Sequence, residues 1–257
     1  MPERPNQIVT LERALSILLA FSQERPVLSA QEIGSLTGIK RSTLYRFLDV
    51  LEQYQMLARE RAGYKLGLKL LELGNIVAKN MQLRPIARPY MIELVNQTGL
   101  TANLAVYDRG EILYVENIVP KDVRVVSMYG GRGPAHCTTT GKVLLSGQSE
   151  EELERLIARG LTRYTDYTIT DGAKLKCELE KIRHQGYAID DQELEIGLRG
   201  VAAPIKNSKG EVIASLSLSG PTTRLNDETI PQLIELVVTA CEAISKELGY
   251  QDRGSDS

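Results

Sequence analysis

The chain reads as an α/β protein in two domains: a small helical head closed by a β-hairpin, then a larger body in which strand pairs alternate with helices. Three observations predict this. Its 257 residues suffice for two ordinary domains, and 42% hydrophobic with 25% charged residues is a globular composition. Charge divides along the chain: residues 1–70 carry ten Lys and Arg against seven Asp and Glu, whereas residues 71–257 carry 21 against 26. The grammar also changes, from a helical period before residue 80 to short period-two runs joined by Gly-containing turns after Gly99.

In the head, Thr10 is read as the N-cap of a helix to Phe21 with Leu11, Ala14, Leu15, Leu18 and Leu19 in one stripe. Ser29-Ala30-Gln31-Glu32 is a capping box opening a short helix that ends at Thr37-Gly38. The next helix, from about Lys40 to Tyr54, turns Leu44, Phe47, Leu48 and Leu51 inward. Its outer side and start carry Lys40, Arg41, Ser42, Thr43, Tyr45 and Arg46. A hairpin over 57–66 with a turn near Ala62-Gly63 follows, bearing Arg59, Arg61 and Lys65. Short helix, Gly turn, polar-tipped helix and basic hairpin, in that order, make a winged helix-turn-helix. The guanidinium of Arg46 can grip guanine edges, the hydroxyls can reach phosphate or base, and the wing suits phosphate or minor groove. An ordinary solvated helix face is the plainer reading of any one of these residues. Double-stranded operator DNA is therefore the expected partner.

Residues 67–78 are apolar on more than one side and must be covered, either within the chain or by a second copy; a dimer would suit a palindromic site. Pro85 and Pro89 flank the expected start of a helix to Thr98. Strands are expected at 102–107, 111–118, 122–128, 201–206 and 211–218, with helices after Ser149, over Asp171–His184, and from Asn226 or Asp227 to Leu248. Such an alternation suggests a mostly antiparallel sheet with helices on its faces.

Three segments of the body carry possible chemistry. Gly133 to Lys142 runs a Gly-containing loop into a helix start with three threonines, either an anion seat or a simple N-cap. It is not a phosphate-binding P-loop, because His136 and Val143 occupy positions that motif reserves for Gly and for Ser or Thr. Ile189 to Gly200 places acids before a Gly-rich turn, either binders of a ligand hydroxyl or, the reading composition favours, a solvated loop. Ser215, Ser217 and Ser219 alternate along one strand face, which is a polar pocket wall or the wet side of the sheet.

Enzyme classes find little support. There are two histidines and no GxSxG, HExxH or dinucleotide-binding fingerprint; His136 beside Cys137 has no evident acid partner, so no catalytic residue, metal or cofactor is expected. Three dispersed cysteines, no leader-like start and no long apolar run point to a cytoplasmic protein.

At Ser42-Thr43-Leu44-Tyr45-Arg46-Phe47-Leu48, Tyr64-Lys65-Leu66-Gly67, Thr140-Gly141-Lys142-Val143-Leu144-Leu145, Gly197 to Pro204 and Ser215 to Pro221, the chain resembles the isocitrate lyase regulator (IclR) family over essentially its whole length. That resemblance implies a winged helix-turn-helix at 1–68, a linker helix at 69–81, a GAF-like effector-binding domain at 82–250 and a disordered tail at 251–257. It implies a homodimer or homotetramer that regulates, as a repressor by expectation and an activator as the alternative, genes of small-molecule catabolism. The effector would be a small carboxylate, an organic or sugar-like acid, held by Thr139, Thr140, Asp190, Ser217 and Ser219. One departure stands out: where acid-sensing relatives often have Cys after Leu-Arg, this chain has Gly200, and Thr139 and Thr140 replace the smaller residues of some relatives, so the glycine should leave room and the threonines take some back. Met128 and Leu104 are the expected apolar walls.

Overall fold

The computed structural model describes residues 9–22, 24–121 and 130–251. They fall into two compact units, Met1–Met81 and Gln82–Ser257. The expected strand at 122–128, Met128 and nearly all of the expected tail lie outside the described residues. Among the described residues no helix is long and apolar enough to cross a membrane.

The first unit contains α1 (Val9–Leu19), β1 (Val27–Leu28), α2 (Ala30–Thr37), α3 (Arg41–Gln53), β2 (Leu57–Glu60), β3 (Gly63–Leu66) and α4 (Leu68–Asn80). Thr10 lies inside α1 rather than capping it. The box at α2 forms in full: Glu32 accepts from the Ser29 N–H at 2.7 Å, and Ser29 Oγ accepts from the Glu32 N–H at 3.2 Å. Gly38 ends the helix at φ 68° and donates to the Gly34 carbonyl, which turns the chain sharply into α3. Ile17, Leu28, Ile33, Leu44, Leu48, Leu57 and Tyr64 make one core under the three-stranded sheet β1-β3-β2. Each aliphatic side chain buried there contributes about 1.5–3 kcal/mol. β1, two residues paired with Lys65 and Tyr64, is too short for any periodic signal.

The second unit contains α5 (Leu83–Thr98), β4 (Thr101–Asp108), β5 (Glu111–Ile118), β6 (Arg132–Pro134), α6 (Thr139–Ser146), α7 (Glu150–Ala158), α8 (Gly172–Gln185), β7 (Ala188–Asp191), β8 (Leu198–Lys206), β9 (Val212–Pro221) and α9 (Ile230–Glu247). Pro85 and Pro89 fall within α5, where the first turn needs no donor at Pro85, and Pro89 simply leaves one carbonyl unpaired. The strands form one antiparallel sheet in the order β6-β5-β4-β9-β8-β7.

Cross-strand register divides this sheet into two faces. Ala102, Leu218 and Val201 line up on one, as do Leu104, Leu216 and Ala203, and they pack with α5 and α9. On the other face run two rows, Thr101–Ser219–Gly200–Asp190 and Asn117–Asn103–Ser217–Ala202–Ala188. Nearby Ala105 and Tyr114 join α6, α7 and α8 in a second core. The serine face of β9 is therefore an interior surface. Leu104, expected in the pocket, is buried on the opposite face: Asn103 points to α6, so its neighbour must point away.

Candidate functional site

Two sites emerge, one in each unit. In the first, α3 exposes Lys40, Arg41, Ser42, Tyr45 and Arg46, while Thr43 is half-buried. Lys40 occupies the N-cap with no side-chain cap; the Thr43 N–H turns back to the Lys40 carbonyl at 3.0 Å, which leaves the N–H groups of Arg41 and Ser42 as the ones open to an anion. Arg41 stacks over Tyr45 with its guanidinium carbon 5.8 Å from the ring centre. Arg46 and Arg61 make no ion pair among the described residues, and Arg61 sits in the turn between β2 and β3. Arg59 differs: it donates to Glu52 at 2.9 Å and lies 3.8 Å from Asp49, both on α3. That guanidinium ties the wing back to the helix, and engaging a phosphate would mean giving up part of that pairing. The expected DNA residues thus lie on two elements, the start of α3 and the β2–β3 hairpin, with Arg59 tying the hairpin to the second half of α3.

In the second unit, Thr139, Thr140, Asp190, Ser217 and Ser219 all line one cavity of about 500 Å³. Three segments distant in sequence deliver them: the start of α6, β7 and β9. The α6 start projects over the small-residue patch of the sheet, and the Gly200 position makes the approach possible. A Cβ there would stand 2.5 Å from Thr139 Oγ1, inside van der Waals contact. Gly200 and Thr139 are therefore complementary in size: the hydroxyl takes the room the glycine leaves.

Thr138 caps α6 by accepting from the Gly141 N–H at 3.2 Å and itself donates to the Pro134 carbonyl at 2.8 Å. This satisfies the third helical N–H and leaves those of Thr139 and Thr140, two residues that line the cavity, without a partner among the described residues, at the positive end of the helix dipole. Tyr114 stands beside Thr140, its phenol pKa raised by burial. Asp190 is 6% exposed and accepts from the Glu193 N–H at 2.8 Å. Burial pushes its carboxyl up to about 7. Arg199 and Arg224 also border the cavity, but both are engaged. Arg199 makes a bidentate pair with Asp191 at 2.8 Å and reaches Asp227, while Arg224 donates to the Gly99 carbonyl at 3.0 Å.

Behind the cavity wall lies Lys142, 1% exposed. Its ammonium donates to the Ile189 carbonyl at 2.7 Å and to Glu193, with Glu178 at 3.5 Å. From the other side, Thr165 and Thr168 donate to the Gln192 and Glu193 carbonyls. The 192–197 segment, which brings Leu194 to the cavity, is thereby held on both flanks.

Sequence reasoning missed β7, Asn103, Asn117, Tyr114 and the clamp on Lys142. An Asn inside the otherwise apolar run 102–106 was the available signal for Asn103. The His136 ring bonds the Thr162 carbonyl at 2.9 Å and burial lowers its pKa, while burial pushes the Cys137 thiol up to about 12.

With the geometry in hand, similarity to known proteins is informative. The family model described as "Bacterial transcriptional regulator IclR C-terminal" matches residues 75–246, and the "IclR helix-turn-helix domain" matches residues 10–61. The chain is 36% identical over 247 residues to the HTH-type transcriptional regulator XynR of Escherichia coli (strain K12), covering 95% of this chain and 98% of that one. It superposes on the Thermotoga maritima IclR with a TM-score of 0.75 at 32% identity, over 95% of this chain and 100% of the other. An IclR homolog from Microbacterium hydrocarbonoxydans complexed with 4-hydroxybenzoate gives a TM-score of 0.84 at 28% identity, over 93% and 98% of the two chains. A helix-turn-helix unit with free arginines, a sensor-like unit with a lined cavity, and matches across both units lead to one conclusion: the chain belongs to the IclR family of bacterial transcriptional regulators.

Proposed function

We propose that this regulator represses a small-molecule catabolic operon, and that a small carboxylate bound in the cavity of the second unit changes its hold on DNA. The observation that carries the proposal is the convergence of Thr139, Thr140, Asp190, Ser217 and Ser219 on one cavity beside the uncapped first N–H groups of α6. A homologous structure holds 4-hydroxybenzoate, itself a small carboxylate. In this reading residues 1–68 are the winged helix-turn-helix, 69–81 the linker and 82–250 the effector domain, and the protein is cytoplasmic and non-enzymatic. Arg46, Tyr45, Ser42 and Thr43 read base edges. Lys40, Arg41 and Arg61 hold the backbone or minor groove, with Arg59 available once it leaves Glu52.

The protein acts as a homodimer, or a dimer of dimers, on a palindromic operator. Support comes from apolar side chains displayed on two helices of the first unit: Leu15 and Leu19 on α1, and Leu68, Leu71, Ile76 and Val77 on α4, each at least 49% exposed. A ligand that favours one dimer arrangement changes the spacing of the two reading helices.

The test is selection of genomic DNA fragments by the full chain, followed by reporter assays on the enriched promoters. Enriched fragments should share an inverted repeat, Arg46→Ala should lose that preference, and deleting the gene should raise reporter output. Enrichment indifferent to Arg46→Ala would sink the DNA assignment. Falling reporter output on deletion would make the protein an activator.

A further inference from the structure

One corner of the cavity holds more acid than base. Asp190 is buried there with Glu193 beside it, Glu178 lies behind, and Lys142 is the buried cation among them. That ammonium is already committed to Glu193 and the Ile189 carbonyl. On the same strand Asp191 turns to Arg199, which also holds Asp227, and Arg224 at the cavity wall binds the Gly99 carbonyl. Exposed Glu195 adds a further negative charge to the wall. Close to Asp190, on β5 and in the turn before α6, are the Tyr114 phenol and the Cys137 thiol. Burial raises the pKa of both, so neither brings a charge near neutral pH.

Asp190 is left with one neutral donor. One oxygen of its carboxyl accepts from the Glu193 N–H at 2.8 Å, and the other has no hydrogen-bond partner among the described residues. Burial outweighs the attraction of Lys142, so the carboxyl keeps its proton far above the usual range. This is also the corner that an effector carboxylate would enter. Asp190 pairs across the ladder with Gly200, and Thr139 sits directly over Gly200, so the carboxyl lies near the α6 start. Opposed strand residues stand about 5 Å apart, and like charges at that separation in a dry space do not both persist. Once one of the two acids holds a proton, repulsion gives way to an O–H···O⁻ bond of the strong, charge-assisted kind.

We propose that Asp190 meets the effector as a neutral carboxyl: the anion rests on the Thr139 and Thr140 N–H groups, and Asp190 donates its O–H to it. Wherever the free protein has lost that proton, binding takes one proton from solvent. This rests on the effector reading above and adds to it a proton as the second ligand of the site. Raising the pH removes the binding-competent form, so affinity is full below about pH 6 and falls about tenfold per unit above about pH 7.5. The effector's own carboxylate stays ionised throughout that range.

Calorimetry on the full-length protein tests this with 4-hydroxybenzoate, lactate and gluconate from pH 5.5 to 8.5. An acid that binds at pH 5.5 should show a Kd about thirtyfold higher at pH 8.5. At pH 8 its binding enthalpies in HEPES and in Tris should differ by close to the difference in ionisation enthalpy of the two buffers, because the buffer supplies the proton. The uncharged amide of the same acid should show no such fall, since it brings no second charge. Asp190→Asn keeps an acceptor for the Glu193 N–H and sets a permanent donor beside the effector. It should bind the acid with pH-independent affinity, and at pH 8.5 about tenfold more tightly than the wild type. Should that variant fail to fold, the two-buffer comparison on the wild type decides. A constant Kd with equal enthalpies in the two buffers overturns the proton and leaves the effector reading standing. An amide that weakens in step with its acid overturns it as well, because the fall then comes from the protein alone. If none of the three acids binds at pH 5.5, the inference falls together with the reading beneath it.

Discussion

Helices α3 and α6 begin with the same resource and use it differently. Each starts with a polar run, Lys40-Arg41-Ser42-Thr43 in one and Thr138-Thr139-Thr140 in the other, and each has first-turn N–H groups that the helix itself cannot satisfy. In α3 the run is displayed to solvent apart from the half-buried Thr43, no side chain caps it, and Lys40, Arg41 and Arg46 have no ion-pair partner among the described residues. In α6 the whole helix is buried, Thr138 closes the cap, and the neighbouring charges are tied down behind the wall. An exposed helix start suits a polyanion of any length, with attraction that falls as salt rises. An enclosed one accepts only what fits and charges a desolvation cost for every group left unpaired. Burial, more than residue type, separates a DNA-reading helix start from a ligand seat.

The largest expected effect lies on the buried side. The Asp190 carboxyl has its folded pKa raised from 3.8 to about 7. Below 3.8 both folded and unfolded chains keep the proton and the group costs nothing. As pH climbs towards 7 the unfolded chain releases the proton while the folded one retains it, so stability falls, by up to on the order of 4 kcal/mol. Above 7 the loss is complete and constant. Asp190→Asn should flatten that decline, and denaturant melts of both proteins from pH 4.5 to 8 check it. Parallel slopes would show that the carboxyl ionises normally and break the comparison.

Next come the caps. Thr138→Val removes both an accepted and a donated hydrogen bond in a buried place and should cost about 2 kcal/mol of unfolding free energy. Lys40→Ala, at a helix start with no side-chain cap, should cost under about 0.5 kcal/mol. Equal losses in chemical denaturation would erase the distinction drawn here.

On the exposed side the effects appear in binding. Arg46→Ala should cost about 1–3 kcal/mol of discrimination between operator and unrelated DNA while leaving the melting curve nearly unchanged. Arg61→Ala is the smallest change: it should weaken every sequence alike and reduce the salt dependence of binding by about one counterion, measured by titrations at several salt concentrations.

The sequence made the head legible because its signals are local. A capping box needs only Ser29 and Glu32, a helix stop needs only Gly38, and both appear where expected. The body was legible in its elements but not in its register. β7 escaped notice because Ala188-Ile189-Asp190-Asp191 carries two acids. Asp190 is accommodated in a strand because Gly200 stands opposite it and the Glu193 N–H bonds it. Leu104 was placed in the cavity and Asn103 overlooked for the same reason: side-chain direction alternates along a strand, and strand parity is set by pairing with β5 and β9, which lies beyond any local window. Thr139, Thr140, Asp190, Ser217 and Ser219 were named through the family resemblance. No local rule would have gathered them.

The Lys142 clamp gives the two units unlike sensitivities to their surroundings. An ion pair inside a dry interior is scarcely touched by dissolved salt, since counterions cannot approach it. A cavity wall held in this way keeps its form from dilute to concentrated medium, while the grip of the exposed arginines on a polyanion slackens steadily. In a cell whose ionic strength rises under osmotic stress, the regulator would go on recognising its metabolite faithfully while occupying its operator less.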